Sequence, residues 1–388
     1  MAKSRQLTGN EDFNGLSRSE PTLPASWYFD PEWYGRELEK VFGRNWLYLF
    51  HTSSIPDPGG YRTVEIGDQN ILVLRDSSGE LRAFHNTCRH RGSILCTEHR
   101  GNLGGKLVTC PYHQWAYAMD GRLVATSSHA EPLGFNKADY PLFPVHLSIW
   151  RGGIFICLDD TPPDMEESFE RGSDRIENWP LESLQVAHTW SKTMACNWKI
   201  FWENFNECLH CPNVHPELCE LVPMYGRRTS SYRDDPHCAD HADRNDQAYR
   251  GGLRDGARTW SSHGQAANYT FPELTAEEIE RGQSYFVSLP SVYIAAHVDY
   301  VRTVRILPRG PEETDIQVEW LLPSQTISDP DFDIAGIVDF PILVMDQDAR
   351  ASELNQRGIR SRRFEQGVLM PEEHYVKAFQ DWVRENMA

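Results

Sequence analysis

Cys88-Arg89-His90-Arg91-Gly92 and, 17 residues further on, Cys110-Pro111-Tyr112-His113-Gln114-Trp115 decide how the rest of the chain is read. Each stretch offers one thiolate and one imidazole, as Cys-x-His and Cys-x2-His. Four such donors on two short loops make a metal clasp. A zinc ion would take all four around one centre. A [2Fe–2S] cluster would take the two Cys on one iron and the two His on the other. The mixed order favours the cluster, because each loop then reaches both irons. Zinc sites of the Cys2His2 kind more often pair Cys with Cys and His with His. The regular spacing sets aside four unrelated core side chains.

The chain has 388 residues, enough for two domains or one large domain with an insertion. Its 38 basic and 56 acidic residues give a net charge of −18, which argues against a nucleic-acid or anionic-membrane partner. A cationic substrate or a basic redox partner fits better. The stretch Met1 to Gln6 has no apolar signal-like region, and no run approaches a membrane span, so a soluble cytoplasmic protein is expected. Nine Cys, an odd number without a disulfide-scaffold pattern, read as reduced thiols and metal ligands.

Along the chain, 1–45 is polar and irregular until Asp30-Pro31 opens a helix, with Asp as N-cap and Pro at the first position. Residues 46–160 read as a small all-β domain, with short strands at 46–50, 61–66, 71–75, 81–85 and 153–158. An Asp120-Gly121 hairpin turn lies among them. This domain carries the Rieske-type cluster loops at the tip of its sheet. Residues 161–388 read as α+β, an antiparallel sheet with helices. Its strands are expected at 188–195, 285–289, 292–297, 301–307 and 316–322, and its helices at 198–211, 331–357 and 371–387. The polar segment 225–282 reads as a loop-rich lid or mobile insertion.

A second metal site is suggested by Glu203-Asn204-Phe205-Asn206-Glu207-Cys208-Leu209-His210, followed by His215-Pro216. Glu207 and His210 are three apart and would share a helix face. His210 and His215 are five apart, about 140° on an ideal helix, too far for one ion. The helix must therefore end or bulge between them, and Pro212 supplies a reason. Two His and a distant carboxylate make the facial triad of non-haem Fe(II). The carboxylate candidate is Asp348, with Asp346 and Glu353 as rivals.

Taken together, Cys88-x-His90-Arg91-Gly92, Cys110-Pro111-x-His113, Asn197-Trp198-Lys199, Glu203-Asn204 and Glu207-x2-His210-x4-His215-Pro216 resemble the α subunit of Rieske non-haem iron oxygenases. The resemblance runs over most of the chain. It implies a Rieske domain joined to a helix-grip (START-like) catalytic domain, with the N-terminal segment packing on the latter. It implies a [2Fe–2S] cluster on Cys88, His90, Cys110 and His113, and a mononuclear iron on His210, His215 and a C-terminal Asp. Asn355-Gln356-Arg357-Gly358 favours Asp348 for that place. It also implies a head-to-tail homotrimer, in which Glu207 bridges His113 of one subunit to His210 of the next. Electrons would come from NAD(P)H through a separate flavin and iron–sulfur reductase. Glu at 207, with His297-Val298-Asp299-Tyr300-Val301, is similar to the branch acting on quaternary ammonium compounds. Leu209 stands where that branch usually has an aromatic residue.

The expected function is therefore the terminal oxygenase of a monooxygenase that hydroxylates or oxidatively N-demethylates a small N-methylated or quaternary amine. Two rivals stand beside it. One is an aromatic or xenobiotic oxygenase, carrying out ring hydroxylation in aromatic hydrocarbon catabolism, or N- or O-dealkylation. The other is a Rieske-type electron carrier without oxygen chemistry, a class that lacks Glu207, His210, His215 and Asp348. Phe201, Phe286 and Tyr293 are candidates for the substrate pocket and its cation–π contacts, and Asn204 for a place near the iron. Cys208-x2-Cys211 lacks a thioredoxin context and is read without a redox role. His237, Asp240, His241 and Asp243 are read as solvated loop residues.

Overall fold

A computed structural model describes residues 13–105, 107–235, 240, 246–266 and 269–388. Its first half is built on a seven-stranded antiparallel sheet. In spatial order the strands are Leu47–His51, Gly153–Cys157, Pro144–Trp150, Leu81–His85, Gln69–Arg75, Gly60–Ile66 and Arg100–Asn102. A three-stranded sheet of Leu107–Thr109, Ala116–Ala118 and Leu123–Ala125 stands beside it. Gly121, at φ 91°, makes the turn between the last two strands, a conformation open to glycine. Leu72, Leu74, Phe84, Val108, Tyr117 and Met119 form the core under the cluster loops, and Cys88 and Cys110 belong to it. The strand Pro144–Trp150 was not anticipated. It opens with a proline, which has no N–H to give to a ladder and is tolerated at a strand's first residue.

The second half is a five-stranded antiparallel sheet in the order Gln185–Met194, Glu313–Leu322, Val301–Gly310, Val292–His297, Gln283–Ser288. Both its faces are buried. One packs Tyr293, Ala295, Val304, Ile306, Ile316 and Val318 with residues of the helices Trp198–Phe205 and Ala335–Ile359. The other packs Phe286, Ile294, Val301 and Leu321 against Tyr48, Phe155 and Trp179. The first domain thus covers one face of the second. Polar contacts fix the seam. Tyr48 donates to Thr303 Oγ1 (3.0 Å), His51 N–H donates to Glu319 Oε2 (2.8 Å), and Arg62 pairs with Glu319 (3.1 Å).

The N-terminal segment docks on the catalytic half. Asp30 caps Pro31–Glu37 by accepting from the Glu32 and Trp33 amides. Glu37, fully buried, accepts from Trp33 Nε1 (2.9 Å), Trp198 Nε1 (2.8 Å) and Lys199 Nζ (2.5 Å). Glu20–Pro21 pairs with Val368–Leu369. Glu203 accepts from Tyr28 (2.6 Å) and from Gln380 on the last helix, His374–Met387 (2.8 Å).

Two expectations change. The helix expected over 198–211 stops at Phe205. Side chains end it: Asn206 Nδ2 takes the Trp202 carbonyl at 2.8 Å, and the Glu207 carboxylate takes the amides of Leu209 and His210. These local bonds compete with the helical ladder. The chain restarts as Cys211–Val214 and Pro216–Leu221, each with Pro in its first two positions. The segment 225–282 is less loose than expected. Leu253 and Trp260 are buried with Leu218, Leu221, Phe340 and Val344, so its described part is packed onto the long helix.

Candidate metal centres and substrate cavity

The two cluster loops fold alike. Gly92 N–H returns to the Cys88 carbonyl (2.9 Å) and Gln114 N–H to the Cys110 carbonyl (3.0 Å). Both turns need left-handed backbone, at Gly92 (φ 76°) and at Gln114 (φ 56°). A non-glycine at positive φ is uncommon and marks a constrained loop. The donors divide by depth. Cys88 and Cys110 are each 2% exposed, His90 is exposed and His113 half-buried. The His90 and His113 rings stand 4.8 Å apart, and Trp115 stacks on His90 at 4.8 Å. Cys88 Sγ lies 3.3 Å from the Tyr117 hydroxyl, which also accepts from the Arg89 amide. Buried sulfurs behind an accessible pair of imidazoles suit a cluster with two Cys on one iron and two His on the other.

On the other domain, His210, His215 and Asp348 bring one ligand atom each within 4.8 Å of one another. His215 Nε2 lies 2.7 Å and His210 Nε2 3.4 Å from Asp348 Oδ1. The opposite nitrogens are held from behind. His210 Nδ1 meets Glu207 Oε1 at 2.5 Å, and His215 Nδ1 meets Gln347 Oε1 at 2.8 Å. Partners of this kind fix the tautomer and turn each ring's free lone pair inward. Burial disfavours a charged His210, but Asp348 and Glu207 outweigh it and push its pKa up to about 9. Asp348 is correspondingly held below the ordinary carboxylate value: burial raises it, and the two imidazoles more than offset that. The donor set is a cation site of two imidazoles and one carboxylate, the kind that suits iron(II).

The rivals are engaged elsewhere. Asp346 pairs with Lys192 (2.8 Å) and Glu353 accepts from the Ala195 amide (3.2 Å). Glu207 and His210 do meet, through the turn at 206–210 rather than along a helix face. Gln347 was missed by sequence reasoning. The signal for it was chemical: each ligating His needs an acceptor for its second nitrogen, and only Glu207 had been assigned. Cys208 and Cys211, expected as reduced thiols, are joined in a disulfide, because the turn brings their Cα atoms to 5.0 Å. His237, His241 and Asp243 lie outside the described residues.

Beside Asp348 a cavity opens, lined by Trp190, Phe201, Asn204, Phe205 and Tyr293 among others. The Phe205 and Tyr293 rings stack at 4.3 Å and 24°. Asn204 Nδ2 stands 3.5 Å from His210 Nε2. Phe286 is not part of this cavity. It is packed on the opposite face of the sheet, 4.7 Å from the ring of Trp150 and 6.0 Å from that of Phe169. Strand side chains alternate, so a residue next to Tyr285 points away from what Tyr285 faces. Phe205 and Trp190 complete the lining in its place.

A two-Cys, two-His clasp on an antiparallel β domain, joined to a two-His, one-carboxylate site under an aromatic cavity, defines a two-centre iron oxygenase. Residues 45–144 match the Rieske [2Fe-2S] domain and residues 181–388 the ring hydroxylating alpha subunit (catalytic domain), and the chain belongs to this family of oxidoreductases. It is 30% identical to the glycine betaine monooxygenase oxygenase subunit of Chromohalobacter salexigens, over all of this chain and 90% of that protein. It is 26% identical to the chloroplastic choline monooxygenase of Spinacia oleracea, over 94% of this chain and 78% of that one. A crystal structure of the quaternary ammonium Rieske monooxygenase CntA shares the fold, with a TM-score of 0.74 at 20% identity over 98% and 99% of the two chains. Matches that reach both domains set the electron-carrier reading aside. Among the described residues, no helix is long and apolar enough to cross a membrane.

Proposed function

We propose that this chain is the terminal oxygenase of a cytoplasmic Rieske monooxygenase that hydroxylates an N-methyl carbon of a small quaternary or N-methylated amine. The observation that carries this reading is the ring lining next to Asp348. A quaternary ammonium has no N–H to donate, and stacked aromatic faces are what attracts it. The activities named for the relatives and the net charge of −18 support the same reading.

In this reading Cys88, His90, Cys110 and His113 hold the [2Fe–2S] cluster, and His210, His215 and Asp348 hold the iron. Iron held there would supply oxygen activation, by which one atom of O2 enters a substrate C–H bond and the other leaves as water, with two electrons from a separate NAD(P)H-dependent reductase and two protons from solvent. The protein's own groups do the positioning. Glu207 and Gln347 lock the two imidazoles, Phe205 and Tyr293 seat the methylated nitrogen, and the closed lining excludes bulk water. A hydroxylated N-methyl group, R–N⁺(CH3)2–CH2OH, then loses its C–N bond to give the dimethylamine product, formaldehyde and a proton. Glu207 is assigned a second role, as the carboxylate linking His210 to His113 of a neighbouring subunit in a homotrimer. The accessible His90–His113 tip suits that docking.

Reductase-coupled, NADH-dependent formaldehyde release tests the reading, run with trimethylammonium compounds and with neutral aromatic ethers and amides. Release from the trimethylammonium set is expected. His210→Ala is expected to keep the Rieske absorbance and lose turnover. Release from neutral aromatics alone would overturn the reading in favour of an aromatic oxygenase, whose substrate the same rings would hold.

A further inference from the structure

The disulfide Cys208–Cys211 straddles His210 in the chain, and one of its sulfurs lies at the metal site. Cys211 Sγ is 3.9 Å from His210 Nε2, the ring nitrogen that faces Asp348 Oδ1 at 3.4 Å. The other ring nitrogen, Nδ1, is turned away to Glu207. The sulfur therefore stands on the side of the imidazole that meets the metal. In a tetrahedral zinc site, Zn–S of about 2.3 Å and Zn–N of about 2.0 Å leave sulfur and nitrogen roughly 3.5 Å apart. The observed 3.9 Å is close to the spacing of two ligands on one ion. It is also shorter than the 4.8 Å within which the donor atoms of His210, His215 and Asp348 lie.

What withholds this sulfur from a metal is its bond to Cys208, because the thiolate is the form of cysteine that ligates. The backbone around it does not depend on that bond. The Glu207 carboxylate holds the Leu209 and His210 amides, and the Cys211 carbonyl accepts from the His215 amide at 2.8 Å. Cleaving the disulfide therefore frees Cys211 while these contacts keep its backbone beside the ligand set. The donors are then two imidazoles, one carboxylate and one thiolate. Such a closed four-donor set suits zinc, whereas the three-donor set with open positions suits iron(II).

We propose that Cys211 is a fourth ligand of this metal site, withheld by the Cys208–Cys211 disulfide and released by its reduction. The disulfide form is the iron site described above, and the dithiol form is a closed site that takes zinc. Reduction passes two electrons and two protons from a dithiol to the pair, leaving two cysteine thiols and the oxidised dithiol. When metal enters, the Cys211 thiol gives its proton to solvent as the sulfur–metal bond forms. Cys-x2-Cys pairs exchange near the potentials of cellular thiol pools, so the donor count follows the redox state around the protein. This rests on His210, His215 and Asp348 as metal ligands and is independent of the substrate.

The test uses protein that carries its Rieske cluster, cleared of other metal by a chelator and oxidised with diamide. The pair is buried, so half of the sample is reduced with a small phosphine, which becomes the phosphine oxide with oxygen from water, and is desalted anaerobically. Co(II), standing in for zinc, is titrated into both halves and followed by near-ultraviolet difference absorption, where cobalt–thiolate bonds absorb. Both forms are expected to bind Co(II), and His210→Ala to lose it. The thiolate band is expected in reduced wild type alone of the two, in Cys208→Ala without reductant, and never in Cys211→Ala. Zn(II) is expected to displace Co(II) at least tenfold more tightly in reduced wild type than in the disulfide form. Reduced wild type and Cys208→Ala without the band, or a band that survives in Cys211→Ala, would overturn the proposal and leave the three-ligand site standing. No Co(II) binding in any form would overturn both. Alkylation of Cys208 and Cys211 after diamide treatment would overturn the disulfide gate. Should neither cysteine variant fold, alkylation of reduced wild type decides: Co(II) is expected to protect Cys211 and leave Cys208 reactive, and equal reactivity would overturn the assignment.

Discussion

Gln347→Leu asks whether the nitrogen that faces away from the iron site governs how well His215 binds metal. His215 is 1% exposed, and its Nδ1 sits 2.8 Å from Gln347 Oε1. Leucine fills much the same volume and offers no acceptor. Two effects follow, and they act in the same direction. The tautomer that frees Nε2 for metal loses its hydrogen bond, worth about 0.5–1.5 kcal/mol net. Its Nδ1–H is also left buried and unpaired, at about 1–3 kcal/mol. The metal-free state escapes part of this by changing tautomer, so the loss falls on the loaded form. The expected outcome is a roughly 10–100-fold weaker iron affinity, about 1.4–2.7 kcal/mol. The assay is anaerobic Fe(II) titration of chelator-treated protein by calorimetry. The Rieske absorbance, arising in the other domain, reports that the fold is intact. Gln347→Glu restores an acceptor and is expected to bind iron at least as tightly as wild type. Gln347 also donates to Glu217 (3.0 Å), so Glu217→Ala serves as a control that should change affinity little. Iron affinity within about twofold of wild type for Gln347→Leu would refute the reasoning.

The buried pair Lys199–Glu37 ties the N-terminal helix to the catalytic half, and both side chains are fully buried. Lys199→Met leaves a carboxylate without its cation and is expected to cost about 3–5 kcal/mol in urea denaturation, part of it regained in Lys199→Met/Glu37→Gln. A single variant as stable as wild type would show that the pair contributes nothing. Glu203 is buried, and burial outweighs its bonds from Tyr28 and Gln380 to push its pKa up to about 7. That folded value lies above the unfolded one of about 4.3, so its contribution is fully present below the unfolded pKa and is lost as pH rises through about 7. The loss amounts to about 4 kcal/mol at most. Relative to Glu203→Gln, the wild type is therefore expected to lose stability between about pH 4 and pH 8 in urea midpoints. Parallel pH profiles for the two proteins would remove Glu203 as the cause.

What was legible in the sequence was local. Cys-x-His and Cys-x2-His fix their own loop geometry, and His210 and His215 are close enough in the chain for their spacing to say that the helix must break. Its early end at Phe205 was not legible, because Asn206 and Glu207 look like ordinary helix-surface residues until their side chains are seen to take backbone groups. The third candidate ligand, Asp348, lies 133 residues from His215, and spacing alone left Asp346, Asp348 and Glu353 open. Lys192 and the Ala195 amide, distant in sequence, occupy the first and the last.

The substrate cavity was the least legible part, for a reason that belongs to this sheet. Periodicity assigns a strand's faces when one is polar, but here both are buried, one under helices and one under the Rieske domain. Tyr285 and Phe286 stand side by side in the sequence with nothing to set the phase, and Phe286 lies on the face away from the cavity. Val301-Arg302-Thr303-Val304-Arg305 carries the same ambiguity in charged residues. Its two arginines are an odd number of positions apart and so must face opposite ways. Arg305 points to the domain seam, where it donates to the Leu49 carbonyl at 2.9 Å. Arg302 therefore turns to the helix-covered face, where its guanidinium lies 5.2 Å from the centroid of the Trp260 ring. The parity is fixed by the chain, but which arginine meets the domain seam and which the helix-covered face depends on what the two domains bring to each face.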